Sequence, residues 1–431
     1  MATKGRRLKW IGLCGTVVLL ASCGISKKGD EGVSAPDKSP VPTEPVTVTF
    51  LSSLADQDFN LYFVEPMKKK YPNITIRMIK KGTGSQLTDL IAAGTIPDLV
   101  LDDNTNLGSS AGLGVFQDHA ELIKRHNIDL GRFEPVVLDA IRNATADHVL
   151  FGLPYFINVN ALFYNKEIFN QFGVPYPPDG MTWNDTIQLA KRVTRDGKKG
   201  LHYEKITRLA ESMSPDYVDQ KTNKATVYTD AWREIFNIGK QILSIPDNVP
   251  PRLENGYRDD FFKTQNFAML ATINVLTAEQ SAIEAGFPLG VAQYPSLPGK
   301  PNTFGYVAAG IVYVTKQSKN QDAAMLVLKE MASDETQIEA ARKLGRFTVL
   351  KSADVKKQLG KDLPYLKNID LSPMSKSLPA PGPAFSAYSA KARQIVQDQY
   401  KLFIEQNLDV NTALRTAEEE INKMVAAELK K

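Results

Sequence analysis

Asp102 and Asp103 stand side by side directly after an apolar run, and Asn104 follows them. Two carboxylates can divide acid and base duties across a glycosidic bond when they face each other at about 5 Å or about 6.5–9.5 Å. Adjacent residues in one loop seldom face each other in that way, so ligand hydrogen bonding suits this pair better, with a secreted carbohydrate hydrolase as the alternative. Ser53 and Asp56 form a similar polar group after an earlier apolar run. Other catalytic patterns are missing: Lys81-Gly82-Thr83-Gly84-Ser85 lacks the full phosphate-loop pattern, and no Gly-x-Ser-x-Gly elbow occurs. The four histidines, His119, His126, His148 and His202, show no zinc-ligand spacing and are expected on solvated helix faces. Cys14 and Cys23, the two cysteines, both lie near the N-terminus, which leaves the rest of the chain without a thiol nucleophile. Neither metal, cofactor nor catalysis is expected.

The elements that position these groups follow from periodicity. Val46-Thr47-Val48-Thr49-Phe50-Leu51 alternates as a strand and runs into Ser52 and Ser53, and a helix from about Gln57 must stop before Tyr71-Pro72. Ile74, Ile76 and Met78 share one face of a second strand, residues 86–93 read as a short amphipathic helix, and Pro97-Asp98-Leu99-Val100-Leu101 as a buried third strand. This alternation predicts parallel strands with right-handed crossovers. Ligands of such sheets sit beyond the carboxyl ends of the strands, where Ser53, Asp56, Asp102, Asp103 and Asn104 all fall. Farther on, Ile311-Val312-Tyr313-Val314 reads as a strand, and helices begin near Ser389 and Val410.

The N-terminus carries export chemistry. Lys4, Arg6, Arg7 and Lys9 precede an apolar run from Trp10 to Ala21, too short to span a bilayer stably, for which roughly 20 residues are needed. Leu20-Ala21-Ser22-Cys23 resembles the lipobox of bacterial lipoproteins, which implies cleavage after residue 22 and lipidation of Cys23. Residues 24–45, rich in Gly, Ser, Lys, Asp and Pro, cannot bury a core and are expected to be a disordered tether. The chain has 52 basic and 48 acidic residues, and removing the leader's four cations leaves equal numbers, so nothing favours nucleic-acid binding. An exported chain would then be neutral, free of disulfides, and long enough for two cores.

Gly152-Leu153-Pro154-Tyr155-Phe156-Ile157-Asn158-Val159-Asn160, the block from Gly173-Val174-Pro175 to Thr182-Trp183-Asn184-Asp185, Phe267-Ala268-Met269 and Tyr294-Pro295-Ser296-Leu297-Pro298-Gly299 occur in an order and spacing that closely resembles extracellular sugar-type solute-binding proteins feeding ABC importers. The resemblance covers nearly all of the chain after the leader. It implies an α/β, two-lobed periplasmic-binding-protein-like fold of type II, each lobe a mixed sheet flanked by helices. It also implies a monomer anchored outside the cell membrane that delivers a small polar solute, a sugar or a related molecule, to permease subunits. The expected segments are a signal peptide at 1–22, the lipidated cysteine and tether at 23–45, a first lobe from 46–157 and 290–332, and a second lobe from 158–289 and 333–431.

A sugar is recognised by an aromatic ring on its C–H face and by planar polar groups on its hydroxyls. By the resemblance, Tyr155, Asn158 and Asn160 lie where the chain first crosses between lobes, and Phe385 and Tyr388 face the cleft; Tyr306 joins them as a candidate. Trp183 is expected instead as the first helical residue behind a cap made by Thr182 and Asp185, at the lobe surface. The chain departs from many sugar binders after Met269, where no aromatic ring occurs and Asn274 is the remaining ligand candidate. The stretch 200–219 is also short, which implies a differently shaped pocket.

Overall fold

The computed structural model describes residues 41–144, 148–253 and 255–430. Cys23, the leader and most of the tether lie outside the described residues. Along the chain come β1 (Val46–Ser52), β2 (Ile74–Lys80), β3 (Leu99–Asp103), β4 (Leu153–Asn158), β5 (Asn160–Asn165), β6 (Lys199–Tyr203), β7 (Phe267–Ile273), β8 (Leu289–Gln293), β9 (Thr303–Tyr306), β10 (Ala308–Val314) and β11 (Leu378–Ala380).

The first sheet has the order β2-β1-β3-β10-β4. Its β2-β1-β3 part is parallel, as strand–helix–strand alternation requires, and β10 enters antiparallel to both β3 and β4. The second sheet, β6-β7-β5-β8, centres on β5, which is antiparallel to both neighbours and buried at every position. Burial on both faces explains why Asn160–Asn165 and Phe267–Ile273 read as almost continuous apolar runs without alternation. Each sheet has its own apolar core. Phe50, Phe63, Val137, Ile311, Met325 and Leu344 belong to the first, and Phe163, Trp183, Trp232, Val291, Phe304 and Tyr400 to the second. Ile157, the penultimate residue of β4, packs against both cores.

Core membership moves two expected boundaries. A return to the first lobe near Gly290 would remove β8 from the second sheet, where Leu162 pairs with Ala292 and Phe163 with Val291. The chain goes back later, between Phe304 of the second core and Val307 of the first. It also stays there longer than residue 332: the helix Asp334–Leu344 buries Ala340 and Leu344 in the first core, and Val349 and Leu350 follow them. A local cap and contacts far along the chain hold it there. Ser333 caps that helix, and Glu330 and Glu335 pair with Lys70 and Lys69 of the first lobe.

Two smaller expectations also change. Trp183 is capped as expected, with Asp185 N donating to Thr182 Oγ1 at 3.2 Å and Thr182 N to Asp185 Oδ2 at 2.9 Å, yet its ring is 1% exposed and lies inside the core. His119, His126 and His202 are buried, not solvated: His119 bonds Gln117 O and Val314 N, His126 Nε2 bonds Asp322, and His202 Nδ1 bonds Tyr203 O, while His148 is exposed. No helix among the described residues is long and apolar enough to cross a membrane.

Candidate functional site

A groove of about 560 Å³ opens where the two sheets meet. Its first-lobe wall is built by strand ends: Ser53 follows β1, Lys81 follows β2, and Asp102 and Asp103 close β3. The turn after β3 is held by its own side chains. Thr105 N donates to Asp103 Oδ1 at 2.9 Å, Asn106 Nδ2 to Asp103 Oδ2 at 2.8 Å, Asp103 N to Asp102 Oδ1 at 2.9 Å, and Ser110 Oγ to Asp102 Oδ2 at 2.9 Å. Burial nevertheless raises the Asp102 carboxyl above the usual range, against the lowering effect of these hydrogen bonds and of Lys81.

The crossing strands form the floor. Tyr155, Phe156 and Asn158 of β4 and Tyr306 of β9 line it, beside Ala308, Ala309 and Gly310 of β10. The second-lobe wall carries Lys205, Thr207, Arg208, Glu211 and Arg393. Here a short helix, Ile206–Ala210, places Arg208 between two acids. Its Nε donates to Glu204 Oε2 at 3.0 Å, and its Nη1 to Glu211 Oε1 and Oε2 at 2.7 and 2.8 Å. Burial works against the guanidinium's charge, but Glu211 and Glu204 more than reverse that effect and hold its pKa above the ordinary value. Thr272 Oγ1 adds a 2.9 Å bond to Glu204, and Asn160 Nδ2 a 3.3 Å bond to Glu211.

Of the residues singled out in the sequence, the groove therefore brings together Ser53, Asp102, Asp103, Tyr155, Asn158 and Tyr306. The others are placed differently. Asp56 is exposed and 3.7 Å from Lys80. Asn104 is fully buried and ties β10 to the strand-end loop, donating to Val307 O at 2.8 Å and accepting from Ala309 N at 2.9 Å. Asn160 is buried behind the wall, with Phe304 O at 2.9 Å. Asn274 bridges loops through Gly345 O at 3.2 Å and Leu276 N at 3.1 Å. Phe385 is 1% exposed and stands edge-on to Tyr306 at 5.5 Å, and Tyr388 packs against the second core. Even Tyr155 is 2% exposed, edge-on to Tyr62 at 5.0 Å.

Lys81, Arg208, Glu211 and Arg393 are lining residues that sequence reasoning missed. For two of them a signal existed: Glu204, Arg208 and Glu211 follow the spacing that stacks charges on consecutive helical turns. Arg393 gives no such sign, since only the tertiary fold brings the helix Ser389–Glu405 to the groove.

Two α/β lobes with separate cores, crossed by neighbouring strands and divided by a polar groove at strand ends, define the architecture of a two-domain periplasmic binding protein. The chain belongs to the bacterial extracellular solute-binding protein family, whose model matches residues 63–366. An ABC substrate-binding protein of Listeria monocytogenes, solved in complex with cycloalternan, has the same fold with a TM-score of 0.70 at 18% identity, over 88% of this chain and 99% of that one. A Rhizobium etli sugar transporter protein in an open conformation gives 0.71 at 19% identity, over 87% and 99%. In sequence, the multiple sugar-binding protein of Streptococcus mutans is 24% identical over 200 residues, 43% of this chain; the match spans 42% of that relative's length.

Proposed function

We propose that this protein is the extracytoplasmic receptor of an ABC importer, lipidated at Cys23, which captures a carbohydrate in the interlobe groove and hands it to permease subunits as a monomer. The observation that carries the reading is that both lobes contribute polar side chains to one groove across a short hinge: Asp102 and Asp103 from one side, Lys205 and Arg393 from the other. A solute touching both walls binds the closed arrangement better than the open one, so it raises the closed population, and closure is what a membrane partner can read. The sugar-binding relative and the cycloalternan complex support carbohydrate as the solute class. The lipobox-like Leu20-Ala21-Ser22-Cys23 supports the anchor.

A soluble form starting near Pro45, melted in the presence of mono-, di- and oligosaccharides, tests the reading. A true ligand at about 100 times its Kd adds about 2.7 kcal/mol of stability. Hydrolysis of a glycoside with no shift by any sugar would hand the assignment to the enzymatic alternative. For the anchor, Cys23→Ala is expected to release the protein from the membrane fraction or leave its precursor uncut, and unchanged fractionation would remove that part.

A further inference from the structure

The groove's carboxylates are already in use. All six carboxylate oxygens of Asp102, Asp103 and Glu211 accept a hydrogen bond within the protein. Its donors are not. Arg393 Nε and Nη2 are buried without any hydrogen-bond partner. The guanidinium is held beside the Tyr217 and Phe385 rings, 5.8 and 5.9 Å from their centroids, and the Tyr217 hydroxyl, although close, gives those two nitrogens no bond of acceptable geometry. Lys205, on the same wall, has Glu204 only at 3.7 Å, and Lys81 faces the groove from the opposite lobe. A buried charged donor left unmatched is costly, and a ligand that supplies its acceptor removes that cost.

The aromatic side of the groove points the same way. Neutral sugars gain much of their affinity from an open ring face, but Tyr155 and Tyr306 are 2% and 4% exposed and packed edge-on to Tyr62 and Phe385. Phe156 remains, and Arg346 already lies 5.2 Å from its ring centroid. The groove offers donors and cations in place of a stacking platform.

We propose that the groove selects a saccharide bearing an oxyanion, a carboxylate or a phosphate, which seats against Arg393 between Lys205 and Lys81. This rests on the carbohydrate reading above and narrows it. Charge-assisted, bidentate bonding to a guanidinium is the strongest recognition such a group can receive. Titration calorimetry of the native protein with paired probes tests it: each neutral sugar against its uronate and its sugar phosphate, glucose with glucuronate and glucose 6-phosphate as the first set. One anionic member of a pair is expected to bind about 10- to 100-fold more tightly than the neutral parent, the two anionic arms separating carboxylate from phosphate. Arg393→Gln should remove that margin, so that the acidic member binds no more tightly than its neutral parent, and Arg393→Lys should restore only part of it. Neutral sugars binding as tightly as their acidic partners would overturn the oxyanion inference and leave the receptor reading standing. Binding of no saccharide, neutral or acidic, across the panel would overturn both.

Discussion

His119 shows how a single side chain sets a pH limit. Its Nε2 accepts from Val314 N at 2.9 Å while Nδ1 faces Gln117 O at 3.0 Å, an arrangement that only the neutral ring satisfies, and burial lowers its pKa to about 4. The unfolded chain therefore binds a proton between pH 6.5 and about 4 that the folded chain refuses, so stability is full above pH 6.5 and is lost as pH falls toward 4. Burial lowers His202 to about 4 as well. Urea unfolding at pH 7.5, 5.5 and 4.5 is expected to show a loss on the order of 3 kcal/mol per histidine over this range, and a flat profile would contradict the buried placement. Arg208→Met tests the acidic cluster. Leaving Glu204 and Glu211 buried without their cation is expected to cost about 3–5 kcal/mol by urea unfolding. At this scale the sequence reveals residue chemistry but not partners: Asn104 and Asn160 are readable as planar polar groups, yet what they hold, Val307 and Phe304, lies far along the chain.

Elements are more legible where their signals are local. Thr182 and Asp185 form a cap within one turn, and Thr182→Ala is expected to lower stability by about 1 kcal/mol, read from the urea midpoint. The expected strands at 46–51, 73–79 and 97–101 lie close to β1, β2 and β3, because each alternates or ends at a loop. The position of β8 is not written locally; a five-residue buried run carries no mark of the sheet it joins. Gly310 shows what positions the floor. A Cβ there would lie 2.4 Å from Tyr155 Cε1 and 2.5 Å from Phe156 Cε1, so the strand can pass under both rings only without a side chain. Gly310→Ala is expected to cost about 1–3 kcal/mol by overpacking, and a variant as stable as the native protein would mean that the rings have room to retreat.

For the molecule as a whole, the receptor reading predicts compaction. Small-angle scattering with saturating ligand is expected to show a smaller radius of gyration than without it, and an unchanged value would rule out lobe closure as the response. The two-lobed plan is legible in the ordered blocks around Gly152 and Thr182, whereas the groove's second wall is not, since Arg393 reaches it only through the packing of the C-terminal helices. The connectivity has a further effect on how this molecule is made. Its first sheet is closed by a strand that arrives late: Ala309 N donates to Asn104 Oδ1 across 205 positions, with most of the second lobe in between. Contacts of such separation form slowly, so the first sheet of a nascent chain stays unfinished until nearly three quarters of the chain has been synthesised. For a member of an extracellular family this delay is useful, since a polypeptide that has not yet locked its first half remains thin enough to be threaded through a translocation channel.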